Sequence, residues 1–230
     1  MAIKMYDLCG ADDAHRFSPY CWRTRMALAH KGLDVETVPW RFTETDRLAF
    51  SGSKTVPVIV DGDTIVGDSW DIADFLEEAY ADRPSLFGAA IGRAEARFVS
   101  HWTEGTLHPL MIKVAALDIH DLLGPVDQAY FRSDREAKFG ATLEAFTHGR
   151  DGHLPALKAA LAPFRRALKD ADYLCGSTPA YGDYVVFGAF QWCRVTATLD
   201  LLDADDPVHA WRERMLDLFD GLGRATPARQ

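Results

Sequence analysis

"TVPVIVDGDTIVGDSW", residues 55–70, decides the fold. Val56 to Val60 reads as a strand, Asp61-Gly62-Asp63 as a tight turn and Ile65 to Gly67 as the returning strand, which together make a β-hairpin. Pro57 sits inside the first run. A proline cannot donate a ladder hydrogen bond, so it belongs at a strand start or an edge, and a cis bond is one way to seat it. Asp68 or Ser69 then caps a helix carrying Trp70, Ile72, Ala73, Phe75 and Leu76 up to Tyr80.

Working back toward the N-terminus, "HRFSPYCWRTRMALAHKG" (residues 15–32) places Ser18 directly before Pro19, the order expected of an N-cap followed by a proline in the first helical turn. Trp22, Met26 and Ala29 give that helix one face, and Gly32 ends it. Ile3 to Cys9 alternates and reads as a strand; Val35 to Trp40 reads as another, and residues 41–54 as a loop with a short helix. The order βαβ, hairpin, helix implies a small mixed sheet with helices packed on it. Ser18-Pro19-Tyr20-Cys21 also has the outline of a Cys-x-x-Cys redox motif with serine in the leading place, so no dithiol cycle is available there.

Beyond "ADRPSLFGAAIG" (81–92) no strand pattern of similar quality follows, which predicts two units: residues 1–83 with the sheet and residues 92–230 all helical. Helices are expected near 91–118, 126–148, 154–170, 182–199 and 207–221. Pro109, behind Gly105, should kink or divide the first, and Gly221 or Gly223 should end the last.

The chain has 230 residues, 48% of them hydrophobic, enough for a substantial core. A net charge of −9 without a basic run argues against a nucleic-acid partner. The absence of a signal-like apolar stretch after Met1, and of any ~18-residue apolar run, is the basis for expecting a cytoplasmic protein. Cys9, Cys21, Cys175 and Cys193 are too scattered for a zinc module or a disulfide framework and are expected as free thiols.

"FSPYCWR" at the first helix, "TVPVIV" at the third strand, "DSWDIADFLEEAY" at the following helix and Asp183 in the second unit resemble, in that order and spacing, the soluble glutathione transferases. Within that superfamily the chain looks most like the bacterial β-etherases that cleave lignin-derived aryl ethers, and like fungal-type relatives. The resemblance implies a thioredoxin-like N-terminal domain, a helical C-terminal domain, a homodimer, and glutathione as co-substrate with an apolar, aromatic electrophile. It further implies that Pro57 is a cis-proline turning the Val56 backbone toward the cysteinyl part of glutathione. Asp68 and Ser69 would hold the γ-glutamyl end, and Lys54 or Arg41 the glycyl carboxylate. Ser18 would be the catalytic group: glutathione brings its own sulfur, and the hydroxyl beside a positive helix end stabilises the thiolate.

Taken singly, these residues have plainer readings. Ser18 and Asp68-Ser69 are helix caps, and Cys21 is a small buried hydrophobe. His101, Glu104 and His108 share a helical face and have metal-ligand character, but no further ligand is implied; a polar stripe suffices, or His101, Trp102 or His108 touches the second substrate. Tyr130, Phe131 and Trp192 read as core aromatics rather than cleft walls. Ala180 stands where relatives carry a Ser, Thr or Asn cap three residues before Asp183, so that cap is weakened or Ser177 or Thr178 replaces it. Two rivals remain open: a glutathione-binding protein without turnover, and a glutathione-dependent thiol reductase using Cys21.

Overall fold

The computed structural model describes residues 2–229. Strands β1 (Ile3–Leu8), β2 (Val35–Trp40), β3 (Val58–Asp61) and β4 (Thr64–Gly67) form one sheet in the order β2-β1-β3-β4. β1 and β2 are parallel, with Met5 opposite Thr37, because helix α1 (Pro19–His30) makes the crossover between them. β3 runs antiparallel to both neighbours, and Gly62 at φ 57° makes the hairpin turn. Met5, Val58 and Ile59 are fully buried; Met5 and Ile59 share one face and Val58 points to the other, so both faces of the sheet are covered there. Helix α2 (Ser69–Ala79) closes the unit, burying Trp70, Ile72, Ala73 and Leu76. This is a thioredoxin-like unit, and the rest of the chain is helical.

That second part begins with α3 (Ala90–Trp102), which passes through a π-helical turn, Thr103–Leu107, into α4 (His108–Leu122). The division expected at Gly105 and Pro109 therefore takes the form of a π bulge in a continuous rod. Three expected helices are shorter or broken. α5 (Pro125–Phe139) stops at Gly140, whose φ of 68° is a left-handed cap, and Thr142 caps the separate turn α6 (Leu143–Phe146). α7 (Leu154–Ala160) and α8 (Ala162–Ala167) divide where Pro163 removes an N–H donor. α10 (Pro207–Gly221) breaks at Leu218–Asp220, ahead of its expected glycine stop, and Phe219 packs its ring on His30 and Tyr184.

α9 (Tyr181–Thr196) is the axis of the molecule and is buried almost throughout. It crosses α1 at Gly188, where a Cβ would lie 2.3 Å from the Pro19 carbonyl oxygen, so glycine is what allows the two helices to touch. The Tyr181 hydroxyl donates to the Ser69 carbonyl at 2.6 Å and ties α9 to the start of α2. The N-termini of α1 and α2 are thereby fixed against the helical part. Among the described residues no helix is long and apolar enough to cross a membrane.

Candidate active site

Three backbone features of the sheet unit converge on one cleft. The Val56-Pro57 peptide is cis, and Val56 lies just before the ladder residues of β3 begin at Val58. Ser18 caps α1, its Oγ accepting from the Cys21 N–H at 3.2 Å. That uses one lone pair and leaves the O–H proton to donate. Asp68 caps α2, with Oδ1 accepting from the N–H groups of Trp70 and Asp71 at 2.7 and 3.4 Å. Asp68 holds a φ of 68°, a conformation that costs a non-glycine residue energy and that clusters at binding sites.

Ser18, Lys54, Val56, Pro57, Asp68 and Ser69 all line this cleft of about 1160 Å³. Lys54 stands exposed at its rim. Arg41 does not line it: its guanidinium is spent on Asp13 Oδ1 at 2.5 Å and the Ala11 carbonyl at 3.2 Å, with Glu44 3.9 Å away. The neighbouring loop's own acids claim that cation.

The opposite wall comes from the helical part. Tyr130, Phe131 and Trp192 all line the cleft, which corrects their reading as core aromatics only; Phe131, 2% exposed, belongs to both. Sequence reasoning passed over Tyr20, Arg23 and Arg97. Arg23 is 2% exposed, yet its Nη1 donates to Glu104 Oε1 at 2.8 Å and Ser100 Oγ at 3.3 Å, clasping α1 to the α3 rod. Its guanidinium also lies 4.6 Å from the centroid of the Tyr20 ring. Burial works against the Glu104 carboxylate, but the Arg23 partner holds its pKa below the usual value. Arg97 stacks on Trp70 at 4.4 Å beside Asp68 and Ser69. The spacing of Arg23 five residues after Ser18 offered no warning, because a buried arginine looks like a pattern error until its acid is in place.

Cys21 is fully buried beside Asp7 in the sheet's core, and desolvation pushes its thiol well above the ordinary range. A thiol so placed is unsuited to nucleophilic exchange. Cys21→Ala is therefore expected to leave glutathione binding and turnover within about two-fold of the native protein, whereas a reductase reading requires activity to vanish. His101, Glu104 and His108 form no metal-binding group among the described residues, since Glu104 is committed to Arg23.

A thioredoxin-like sheet with a serine-capped first helix and a cis-proline, faced across a cleft by a helical unit, defines the class of protein. Descriptions of the glutathione S-transferase N-terminal and C-terminal domains match residues 17–79 and 94–216. The chain belongs to the glutathione S-transferase family. Among curated proteins it is 36% identical over 89 residues to glutathione S-transferase Z1 of Arabidopsis thaliana, a match spanning 36% of this chain and 37% of that one. Among solved structures it is similar to glutathione transferase GSTFuA3 of Phanerochaete chrysosporium, with a TM-score of 0.79, 24% identity, and 99% and 98% of the two chains covered. A Ceriporiopsis subvermispora glutathione S-transferase crystallised with glutathione superposes with a TM-score of 0.76 at 21% identity, over 98% of this chain and 95% of that one. At these identities, GSTFuA3 and the Ceriporiopsis enzyme are likenesses of fold.

Proposed function

We propose that the protein is a glutathione S-transferase acting on an apolar, aromatic electrophile, with aryl ethers bearing an adjacent ketone as one candidate substrate class. Glutathione lies along the Val56 backbone like an added strand, its γ-glutamyl end at Asp68, Ser69 and the N-terminus of α2, and its glycyl carboxylate at Lys54. Asp68 can cap and bind at once, because Oδ1 serves the helix and Oδ2 remains for the ammonium. Arg97 adds a cation to the same end.

Ser18 donates to the sulfur and favours thiolate. The thiolate attacks carbon, a sulfur–carbon bond forms, and the leaving group departs with its electron pair; in an aryl ether it is a phenolate, and the thiol proton passes to solvent. The observation that carries the reading is that one cleft joins Ser18, Val56, Pro57 and Asp68 to the aromatic wall of Tyr130, Phe131 and Trp192. Exposed Ile91 and Phe98 on one face of α3 support a homodimer.

Calorimetry with glutathione, with an ultraviolet titration of its thiol in the complex, tests this. Binding is expected, with a thiol pKa below the free value near ~8.5. Conjugation should then rise with pH through that lowered pKa and level off above it, because only the thiolate attacks. Binding without a pKa shift supports the non-catalytic reading, and no binding refutes glutathione as co-substrate.

A further inference from the structure

Ser100, Glu104, His108 and Ile112 all line the cleft, although they recur at every fourth residue. In a regular α-helix that interval overshoots a 3.6-residue turn by about 40° each time, and three steps would swing the stripe well away from the cleft. The wider π turn at Thr103–Leu107 absorbs the overshoot and keeps Glu104 and His108 on the same side.

Two members of the stripe have protein partners, for Arg23 binds both Ser100 and Glu104. His108 has none at Nε2, which is enclosed. Its ring is held edge-on by two aromatics, Tyr20 with centroids 5.8 Å apart and Trp192 with centroids 5.6 Å apart. Burial, reinforced by the charge of Arg23, pushes its pKa down to about 4, so the ring is neutral at neutral pH and offers one donor and one acceptor. A phenylalanine would fill the same gap between two rings without leaving a buried polar atom unmatched, so packing alone does not account for a histidine.

We propose that His108 is a specificity-determining residue of the second-ligand site, donating an N–H hydrogen bond from Nδ1, the ring nitrogen that is not enclosed, to an acceptor oxygen on an aromatic ligand, of which an aryl ketone is the simplest kind. It lies on the helical wall with Ile112 and Trp192, across the cleft from the Val56–Pro57 and Asp68–Ser69 features, so the aromatic ligand and not glutathione meets it. Only the consequence for turnover, a preference for electrophiles with a carbonyl beside the reacting carbon, rests on the transferase reading.

The test is binding of butyrophenone and butylbenzene, which differ only in carbonyl against methylene, measured by calorimetry without glutathione. The native protein is expected to bind the ketone about 10-fold tighter, the worth of one desolvated hydrogen bond. His108→Phe should bring the two within about two-fold by weakening only the ketone, and His108→Gln, which keeps an N–H donor, should restore part of the preference. Should His108→Phe not fold, the imidazole ¹⁵N shifts of His108 in the native protein should move with butyrophenone and not with butylbenzene. No ketone preference in the native protein, or equal weakening of both ligands by His108→Phe, overturns the proposal. Because glutathione is absent, ketone discrimination without glutathione binding would fail the transferase reading and leave this one standing.

Discussion

Ser18→Ala is expected to return the thiol of bound glutathione to near its free pKa of ~8.5 and, for a native shift of about 2 units, to cut kcat/KM at about pH 7 by about 25-fold, the fall in the thiolate fraction. Such a shift corresponds to about 2.7 kcal/mol of preferential thiolate stabilisation. Ser18 is 4% exposed and set at the first turn of α1, where Pro19 supplies no N–H and the Cys21 N–H is turned onto Ser18 Oγ, so the side chain is a donor that the helix end can offer a ligand. Alanine removes that donor together with the cap on the Cys21 N–H, which by itself costs roughly 1 kcal/mol of stability. Ser18→Thr is the control that keeps both functions, because threonine caps and donates alike. Thermal melting follows the cap, and the ultraviolet thiolate titration follows the chemistry. An unchanged thiol pKa in Ser18→Ala, with glutathione still bound, would remove Ser18 from the mechanism.

The sheet unit was legible because its signals are local. Pro57 at a strand start, Asp61-Gly62-Asp63 between two apolar runs, and Ser18 before Pro19 each restrict a few consecutive dihedrals, and no distant contact overrides them. The helical part was legible as helices but not as boundaries. Amphipathic periodicity ran past residue 140, whereas the left-handed Gly140 and the Thr142 cap ended one helix and began another within three residues. Periodicity likewise showed that Phe131 and Trp192 would be covered but not by what, and one wall of the cleft is made of such residues. Arg41 shows the opposite failure. It has the right charge near the right strand, but Asp13 comes close to it only when the loop after β1 folds back.

Asp183→Asn is expected to destabilise the protein by about 3–5 kcal/mol, the range for breaking a buried charged network, and to lower Tm by roughly 10 °C. The side chain is fully buried and is met only by donors. Oδ1 accepts from the Leu174 N–H at 2.7 Å and the Trp211 indole at 3.0 Å; Oδ2 accepts from the N–H groups of Cys175 at 3.1 Å and Ala180 at 3.2 Å. Neither Ser177 nor Thr178 takes over the missing cap at Ala180. Instead the Asp183 N–H turns to the Ala180 carbonyl at 2.9 Å, so the carboxylate alone joins the start of α9, the loop before it and α10. An amide must aim its NH₂ at one of these donor pairs, leaving two N–H groups unmatched and opposed by like dipoles. Asp203→Asn is the contrast: its carboxylate, 64% exposed, meets only Lys158 at 2.6 Å, and the change should stay within about 0.5 kcal/mol. Chemical denaturation of both variants measures the difference. If Asp183→Asn melted like the native protein, the start of α9 would have to be held by packing at Gly188 and Tyr181 rather than by this carboxylate, and the placement of Trp192 on the cleft wall would depend on the α1 crossing instead.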